Sequence, residues 1–248
     1  MSVRSKLPRM REIPPTAWLD RLEESTSSAG SAPDTEPDAE CVHELRVACG
    51  RLIVWLDLGG WRVLRDDLRW LRRSAATVRD LDVVLARFAA RPWAAELAAQ
   101  RSVAASDLRR TFSSPRVQGL VQAIATMPSV PEAAARDHLA SLRKHTLRAG
   151  KHLHRAEKDL AQVHRLRRAV RRLRYVLEWS ADAPEELADL QTELGNLNDR
   201  VIAQRILADR ESEDGVAADR AVLDTELAAQ CGRIEDLWDD ARRIVEAL

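Results

Sequence analysis

The residues with the clearest chemical character lie in one short stretch, VHRLRRAVRRLRY, at positions 163–175. This stretch holds six arginines and one histidine, although the whole chain has 39 basic and 39 acidic residues and no formal net charge. Guanidinium groups bind phosphate through paired hydrogen bonds, so a row of arginines is suited to an anionic ligand. The stretch therefore predicts either an ordinary solvated helix face or a site for something strongly anionic.

On an α-helix, with 3.6 residues per turn, the same stretch divides into an apolar face and a basic face. The apolar stripe, which should face the core, consists of Val163, Leu166, Val170, Leu173 and Leu177. The opposite row consists of His164, Arg168, Arg171 and Tyr175, flanked by Arg167, Arg172 and Arg174. The preceding helix repeats the i, i+4, i+7, i+11 spacing with Lys144, Arg148, Lys151 and Arg155. Rows of this length could follow a chain of phosphates.

Charge is distributed unevenly along the chain. Residues 143–174 contain twelve basic residues and two acids, whereas residues 178–248 contain nineteen acids and seven arginines. Like charges one turn apart destabilise a helix by roughly 0.2–0.5 kcal/mol per pair, so a purely solvated face would normally include acids. Two interpretations follow: the acidic helices pack beside the basic rows and neutralise them, or the rows bind a polyanion.

The elements that must position these rows are α-helices. Ala, Leu, Arg and Glu dominate the composition, and alternating strand patterns are rare. After a short amphipathic helix in PPTAWLDRLEES, residues 25–40 have the composition of a flexible linker. From Glu40 onward, helix breaks divide the chain into seven to nine helices, which predicts an all-α protein. The breaks are expected at Gly59-Gly60, Pro92, Ser114-Pro115, Pro128 to Pro131, Pro184 and Gly215.

An internal repeat indicates two related halves. One motif recurs at an offset of 121 residues, at 42–58 and 163–179, and a second recurs at an offset of 119, at 68–82 and 187–201. The aligned pairs include His43 with His164, Arg46 with Arg167, Arg51 with Arg172, and Asp80 with Asp199. The two aspartates are expected either to cap the following helices or to pair with an arginine of the basic rows.

Cysteine usage and hydropathy predict a soluble, cytoplasmic protein. The three cysteines, Cys41, Cys49 and Cys231, form no CxxC pair, so neither a disulfide framework nor a zinc site is expected. The N-terminus has no apolar run of signal-peptide length. No stretch approaches the roughly 18 consecutive apolar residues of a membrane span.

Motifs for catalysis and for metal binding are absent from the sequence. There is no GxxxxGK[ST], GxSxG or HExxH pattern, so we expect no enzyme activity. Glu40 and His43 form a Glu-x-x-His pair of the kind found in di-iron bundles, but Ala161 replaces the carboxylate before His164. Neighbouring arginines would repel a cation and should lower the pKa of a histidine such as His164 below about 6.5. We therefore expect no metal and no cofactor.

A histidine with arginine at +3, basic residues at +7, +8 and +10, and then an L-x-x-L…LG-x-x-x-D helix resembles the CHAD family, where this pattern occurs twice. The resemblance covers about residues 14–248. The second copy matches at His164, Arg167, Arg171, Arg172, Arg174, Tyr175, Leu190, Leu194, Gly195 and Asp199. The first copy keeps His43, Arg46, Arg51, Arg79 and Asp80. Gly50 and Ile53 replace the usual basic residues and Ala76 the usual glycine, so the first half of a site should be weaker.

The resemblance implies one CHAD-like domain over residues 1–248, made of two pseudo-symmetric four-helix bundles at 14–128 and 129–248. Basic residues from both halves would line a central groove or pore. The implied function is non-catalytic binding of inorganic polyphosphate, often at polyphosphate granules. The implied binding residues are His43, Arg46, Arg51, Arg79, Lys144, Arg148, Lys151, Arg155, His164, Arg167, Arg168, Arg171, Arg172, Arg174 and Tyr175.

Nucleic-acid backbone binding is the main alternative, because arginine rows also bind DNA and RNA phosphates. Base stacking needs exposed aromatic residues on the basic faces, and Tyr175 is the one residue there that qualifies. The sequence therefore favours plain phosphate chains over nucleic acid. The remaining alternatives are a phosphohydrolase, a metal-binding or accessory domain of phosphate metabolism, and a scaffold whose acidic C-terminal helices recruit a partner.

Overall fold

The structure, a computed structural model, describes residues 14–28, 36–151, 153, 160–179 and 183–248. Within these ranges it contains ten α-helices, which confirms the predicted all-α fold class. They are α1 (Thr16–Ser28), α2 (Ala39–Leu58), α3 (Arg65–Ser74), α4 (Ala76–Phe88), α5 (Ala94–Phe112), α6 (Pro115–Ala125), α7 (Glu132–Gly150), α8 (Leu160–Glu178), α9 (Glu185–Ala208) and α10 (Val216–Ala247). None of the helices in the described ranges is long and apolar enough to cross a membrane.

The described residues form two compact units, and the division falls between Pro131 and Glu132. Helices α1 to α6 belong to the first unit, and helices α7 to α10 belong to the second. The pseudo-twofold axis and the groove shared by the two halves stay predictions.

Helix α2 is the centre of the first unit, because it packs against α1, α3 and α4. Its start is fixed by Asp38, whose side chain accepts a 2.7 Å hydrogen bond from the amide of Cys41. It ends before Gly59, and the next residue, Gly60, has a φ of 71°, a conformation that favours glycine. Four large residues on its inner side are fully buried: Leu45, Leu52, Trp55 and Leu56.

Later helix boundaries follow the predicted signals closely. Ser114 caps α6 by accepting a hydrogen bond from the amide of Val117, and Pro115 occupies the first turn. Gly215, with a φ of 82°, precedes α10. Pro92, one of the predicted breaks, lies in the turn between the end of α4 at Phe88 and the start of α5 at Ala94.

The flexible linker predicted for residues 25–40 is wrong at both of its ends. Helix α1 continues to Ser28, α2 begins at Ala39, and residues 29–35 lie outside the described residues. Arg101 of α5 holds the segment before α2: its Nη1 donates to Glu36 Oε2 at 3.0 Å and its Nη2 to the carbonyl of Pro37 at 2.6 Å. These contacts come from residues about 65 positions away, which linker composition does not reveal.

In the second unit, α7 and α9 each pack against both α8 and α10. The predicted apolar stripe of α8 is confirmed, because all five of its residues are at most 3% exposed. Arg143 of α7 donates to the carbonyl oxygens of Val245 at 3.0 Å and Glu246 at 2.6 Å. Carbonyls in the last turn of a helix have no intrahelical donor, so Arg143 supplies what the end of α10 lacks.

Candidate functional site

The exposed side of α8 carries a dense group of basic side chains. His164, Arg165 and Arg168 are exposed, because they project away from the buried stripe. The half-buried arginines of the same helix are Arg167, Arg171, Arg172 and Arg174. His164, Arg167, Arg168 and Arg171 are referred to below as the α8 cluster.

The electrostatic character of the α8 cluster is visible in its histidine. Burial lowers the pKa of His164 below the ordinary value of 6.5, and the guanidinium groups of Arg167, Arg168 and Arg171 lower it further. A guanidinium group has this effect only when it lies close to the imidazole. The three arginines therefore concentrate positive charge around His164. The pKa of this residue is lowered, as the sequence predicted.

Arg167 and Arg174 of α8 each contact a protein group that fixes the position of the side chain. Arg167 Nη1 donates to the Oδ1 of Asn198, a buried residue of α9, at 3.0 Å. Arg174 Nη2 lies 3.0 Å from Oε1 of Glu178, one helical turn later, and both side chains are largely buried. A phosphate that bound Arg174 would have to compete with this carboxylate.

The prediction that Tyr175 is an exposed aromatic residue on the basic face is wrong. Its side chain is only 4% exposed, and the two residues that follow it, Val176 and Leu177, are fully buried. Three consecutive buried residues cover most of the circumference of a helix, so the last turns of α8 are enclosed on several sides. The basic face therefore offers no aromatic ring at Tyr175 for stacking with a nucleic-acid base.

The described residues of the basic row that begins at Lys144 are exposed, but α7 ends at Gly150, so the predicted helical spacing extends only through Arg148. Lys144, Arg148 and Lys151 all have exposed side chains, whereas Arg155 lies outside the described residues. Arg148 and Lys151 line a cavity of about 370 Å³ formed with α10. The other residues that line it are Leu147, Gly150, Trp238, Arg242 and Glu246.

Many acids of the C-terminal region are paired within that region. Arg200 of α9, for example, donates to Glu226 of α10 at 3.0 Å and to Gln230 at 2.7 Å. Further pairs between residues 193 and 246 include Arg210–Glu213, Arg220–Glu211, Arg233–Glu193, Arg242–Glu246 and Arg243–Asp240. Part of the acidic surplus is therefore matched by arginines of α9, α10 and the loop between them.

In the first unit, the predicted binding residues have varied surroundings. His43 is exposed on α2, and Arg79 is half-buried on α4. Arg46 Nη1 donates to the carbonyl oxygen of Arg72, in the last turn of α3, at 3.0 Å. The guanidinium carbon of Arg51 lies 3.9 Å from the ring centroid of Trp18 on α1.

The expectation that Asp80 and Asp199 cap the following helices is wrong. Asp80 lies within α4 and Asp199 within α9, so neither stands at a helix start. The alternative expectation, that they pair with arginines of the basic rows, stays a prediction.

Sequence reasoning missed two aromatic residues beside the basic side chains. Trp18 precedes Arg51 by 33 positions, and no local pattern connects them. Trp238 is only 2% exposed, but it also lines the α7–α10 cavity. Arg242, which follows Trp238 by one turn, carries no signal in the sequence that separates it from other arginines of an acidic helix.

Within the described residues, no group of three or more His, Cys, Asp or Glu side chains is arranged to hold a metal ion. Cys41, Cys49 and Cys231, which all lie within the described ranges, form no disulfide bond. Burial raises the pKa of the Cys49 thiol to about 12, although Arg72 and Arg46 act in the opposite direction. Cys49 is therefore an unreactive core residue.

Comparisons with known proteins agree with this architecture. A family model described as CHAD domain matches residues 19–208. The crystal structure of the CHAD domain from the plant Ricinus communis has a TM-score of 0.71 and 24% identity, covering 98% of each chain. PptA from Streptomyces chartreusis has a TM-score of 0.63 and 17% identity, covering 94% of this chain and 95% of that one. No curated protein matches the chain.

Proposed function

Because the chain belongs to the CHAD domain family, we propose that it binds inorganic polyphosphate through its basic helix faces and does not catalyse a reaction. The observation that carries this proposal is the α8 cluster. Three guanidinium groups lie close enough to His164 to lower its pKa. A polyanion would relieve this crowding of positive charge, since each phosphate can accept paired hydrogen bonds from an arginine.

The extent of the cluster supports a chain of phosphates over a single small anion. His164 and Arg171 are separated by seven residues, which corresponds to about 10 Å along the helix axis. The proposed site also includes Lys144, Arg148, Lys151 and Arg155 of the preceding basic row. His43, Arg46, Arg51 and Arg79 would contribute from the first unit, with Arg172 and Arg174 from α8.

A protein with this activity would work in the cytoplasm, at polyphosphate granules. Nucleic-acid binding is the less favoured function, because the burial of Tyr175 removes the stacking surface expected beside the arginines. RNA should therefore displace polyphosphate poorly, whereas polyphosphate should displace RNA.

The test is the affinity of the full chain for labelled long-chain polyphosphate, measured by fluorescence anisotropy. The variant Arg165→Ala/Arg168→Ala removes Arg168 of the α8 cluster together with Arg165, an exposed cation beside the cluster. Its matched control, Arg62→Ala/Arg73→Ala, removes two exposed cations of the first unit that lie outside the proposed site. We expect the α8 variant to bind at least about tenfold more weakly and the control to bind like the unmodified chain.

Equal losses in the two variants would contradict the proposed site, because they would show a response to net charge alone. Release of orthophosphate from polyphosphate in the presence of magnesium would contradict the absence of catalysis.

A further inference from the structure

The cavity between α7 and α10 has a composition that a linear phosphate chain does not need. It lies entirely within the second unit and has a volume of about 370 Å³, in the range typical of small-molecule sites. Its lining combines a charged side, made of Arg148, Lys151, Arg242 and Glu246, with an apolar side, made of Leu147, Gly150 and Trp238; each side is defined by residue type. Polyphosphate has no apolar part that could use the second group.

The charged side keeps an excess of positive charge. Among the described residues that line the cavity, Glu246 is the one carboxylate, and it is paired with Arg242 through a 2.8 Å contact between Oε1 and Nε. Arg148 and Lys151 lie on consecutive turns of the α7 region and are both exposed toward solvent. The cavity therefore presents two cations beyond the one that its own acid neutralises.

The apolar side is built by a close approach of the two helices. The Trp238 ring packs so closely on Gly150 that a side chain at this position would collide with the indole. Arg143 holds the end of α10 against α7 through the carbonyls of Val245 and Glu246. The wall is thus a fixed part of the unit and does not depend on a ligand for its position.

We propose that this cavity binds a nucleoside phosphate, with the phosphates at Arg148 and Lys151 and the base against the apolar wall. Arginine side chains add to this fit, because a guanidinium plane stacks on a base as well as binding its phosphates. The ligand differs from that of the α8 cluster, so the proposal goes beyond polyphosphate binding and gives the α7 row a second role.

The experiment measures the affinity of the full chain for ATP, tripolyphosphate and adenosine by isothermal titration calorimetry. Tripolyphosphate carries the phosphates without a base, and adenosine carries the base without phosphates. We expect ATP to bind at least about tenfold more tightly than either, because only ATP uses both sides of the cavity. Equal affinity for ATP and tripolyphosphate would overturn the proposal, and so would the absence of ATP binding.

Two variants separate the sides of the cavity. Arg148→Ala/Lys151→Ala should weaken ATP binding at least about tenfold. Arg62→Ala/Arg73→Ala, which removes two exposed cations outside both proposed sites, should leave it unchanged. Leu147→Asn removes the apolar side chain without adding a charge, so it should weaken binding of ATP more than binding of tripolyphosphate. Circular dichroism checks that each variant is folded. ATP binding that survives loss of both cations would overturn the assignment to this cavity.

Long-chain polyphosphate is titrated into the same variants, so that the two proposals can fail separately. Failure of the unmodified chain to bind long-chain polyphosphate would remove the proposed function and leave the result with ATP standing.

Discussion

The two copies of the repeated helix, α2 and α8, share a backbone pattern but differ in how they use charge. At the offset of 121 residues, four arginines of α8 align with residues of α2 that are not basic. The α8 arginines, at 165, 168, 171 and 174, are exposed or half-buried, and the aligned α2 residues are Glu44, Val47, Gly50 and Ile53. The positions common to both copies are the histidine and the arginines at +3 and +8. One copy therefore displays a continuous basic face, whereas the other keeps isolated basic residues.

The arginines that α2 keeps are held by the protein around them. Arg51 stacks on Trp18, and Arg46 binds the carbonyl of Arg72 at the end of α3. The counterpart of Arg46 in α8 is Arg167, which binds the side chain of Asn198 instead. The difference shows that one repeated arginine can support a helix end in one unit and a cationic cluster in the other.

The partner of the repeated arginine, which is Arg46 in α2 and Arg167 in α8, depends on the next helix motif in the repeat. In the first unit the second motif is interrupted at Ala75, so α3 ends at Ser74 and the carbonyl of Arg72, in its last turn, accepts from Arg46. In the second unit α9 runs without a break from Glu185 to Ala208, and its carbonyls are engaged within the helix. Arg167 therefore binds a side chain rather than a helix end.

The largest expected effect is on polyphosphate affinity, measured for variants of the basic residues of α8 and of α2. Arg168→Ala/Arg171→Ala should weaken binding of long-chain polyphosphate about 100-fold, because two charge-assisted contacts of about 1.5 kcal/mol each are lost. His43→Ala/Arg51→Ala, which removes two basic residues of α2, should weaken it less than about tenfold. Fluorescence anisotropy at constant salt gives both affinities. A larger loss from the α2 variant would reverse the assignment of the stronger half.

The next effect concerns stability. Arg46→Ala should lower the free energy of unfolding by about 1.5–3 kcal/mol, because it leaves the carbonyl of Arg72 without its charged donor. Arg168→Ala should change it by less than about 0.5 kcal/mol, since that side chain is exposed. Urea unfolding followed by circular dichroism measures both. Equal stability of the two variants would show that Arg46 is not a structural residue.

These comparisons also show what the sequence could predict. Helix number and most helix boundaries follow from local signals such as Ser114-Pro115 and Gly215, which act within one turn of the chain. The basic face of α8 follows from helical periodicity, which requires only that the opposite stripe be buried. The exposure predicted for Tyr175 failed, because burial at the end of a helix depends on the elements that surround it.

The sequence patterns could not predict contacts between residues that are far apart in the chain. Arg101 contacts the segment before α2, Trp18 contacts Arg51, and Arg242 lines the same cavity as Arg148 and Lys151. Each contact joins residues that no motif connects, and the tertiary packing of the helices creates it. Residue types therefore predicted the chemistry of the candidate site, whereas its partners and its supporting contacts required the structure.

A smaller effect tests whether Trp18 positions Arg51. Trp18→Leu should weaken polyphosphate binding about two- to fivefold, because an exposed cation–π contact contributes about 0.5–1 kcal/mol. Trp18→Phe keeps an aromatic face and should retain most of the affinity. Both variants are compared by anisotropy after their helicity has been checked. The same loss in both variants would show that packing of the indole, and not its interaction with Arg51, supports binding.

The smallest expected effect is the pH dependence that the α8 cluster imposes on stability. Since burial and the three neighbouring arginines lower the pKa of His164 in the folded chain, the unfolded chain binds a proton more readily just below pH 6.5. Stability should therefore fall as the pH decreases through 6.5 and become level again below the folded-state pKa, where both states are protonated. His164→Gln should remove this part of the slope in urea unfolding. Bound polyphosphate should also reduce this slope. Its negative charge favours the imidazolium and so raises the pKa of His164, which the arginines lower. An identical slope in the unmodified chain and the variant would place the titrating group outside the cluster.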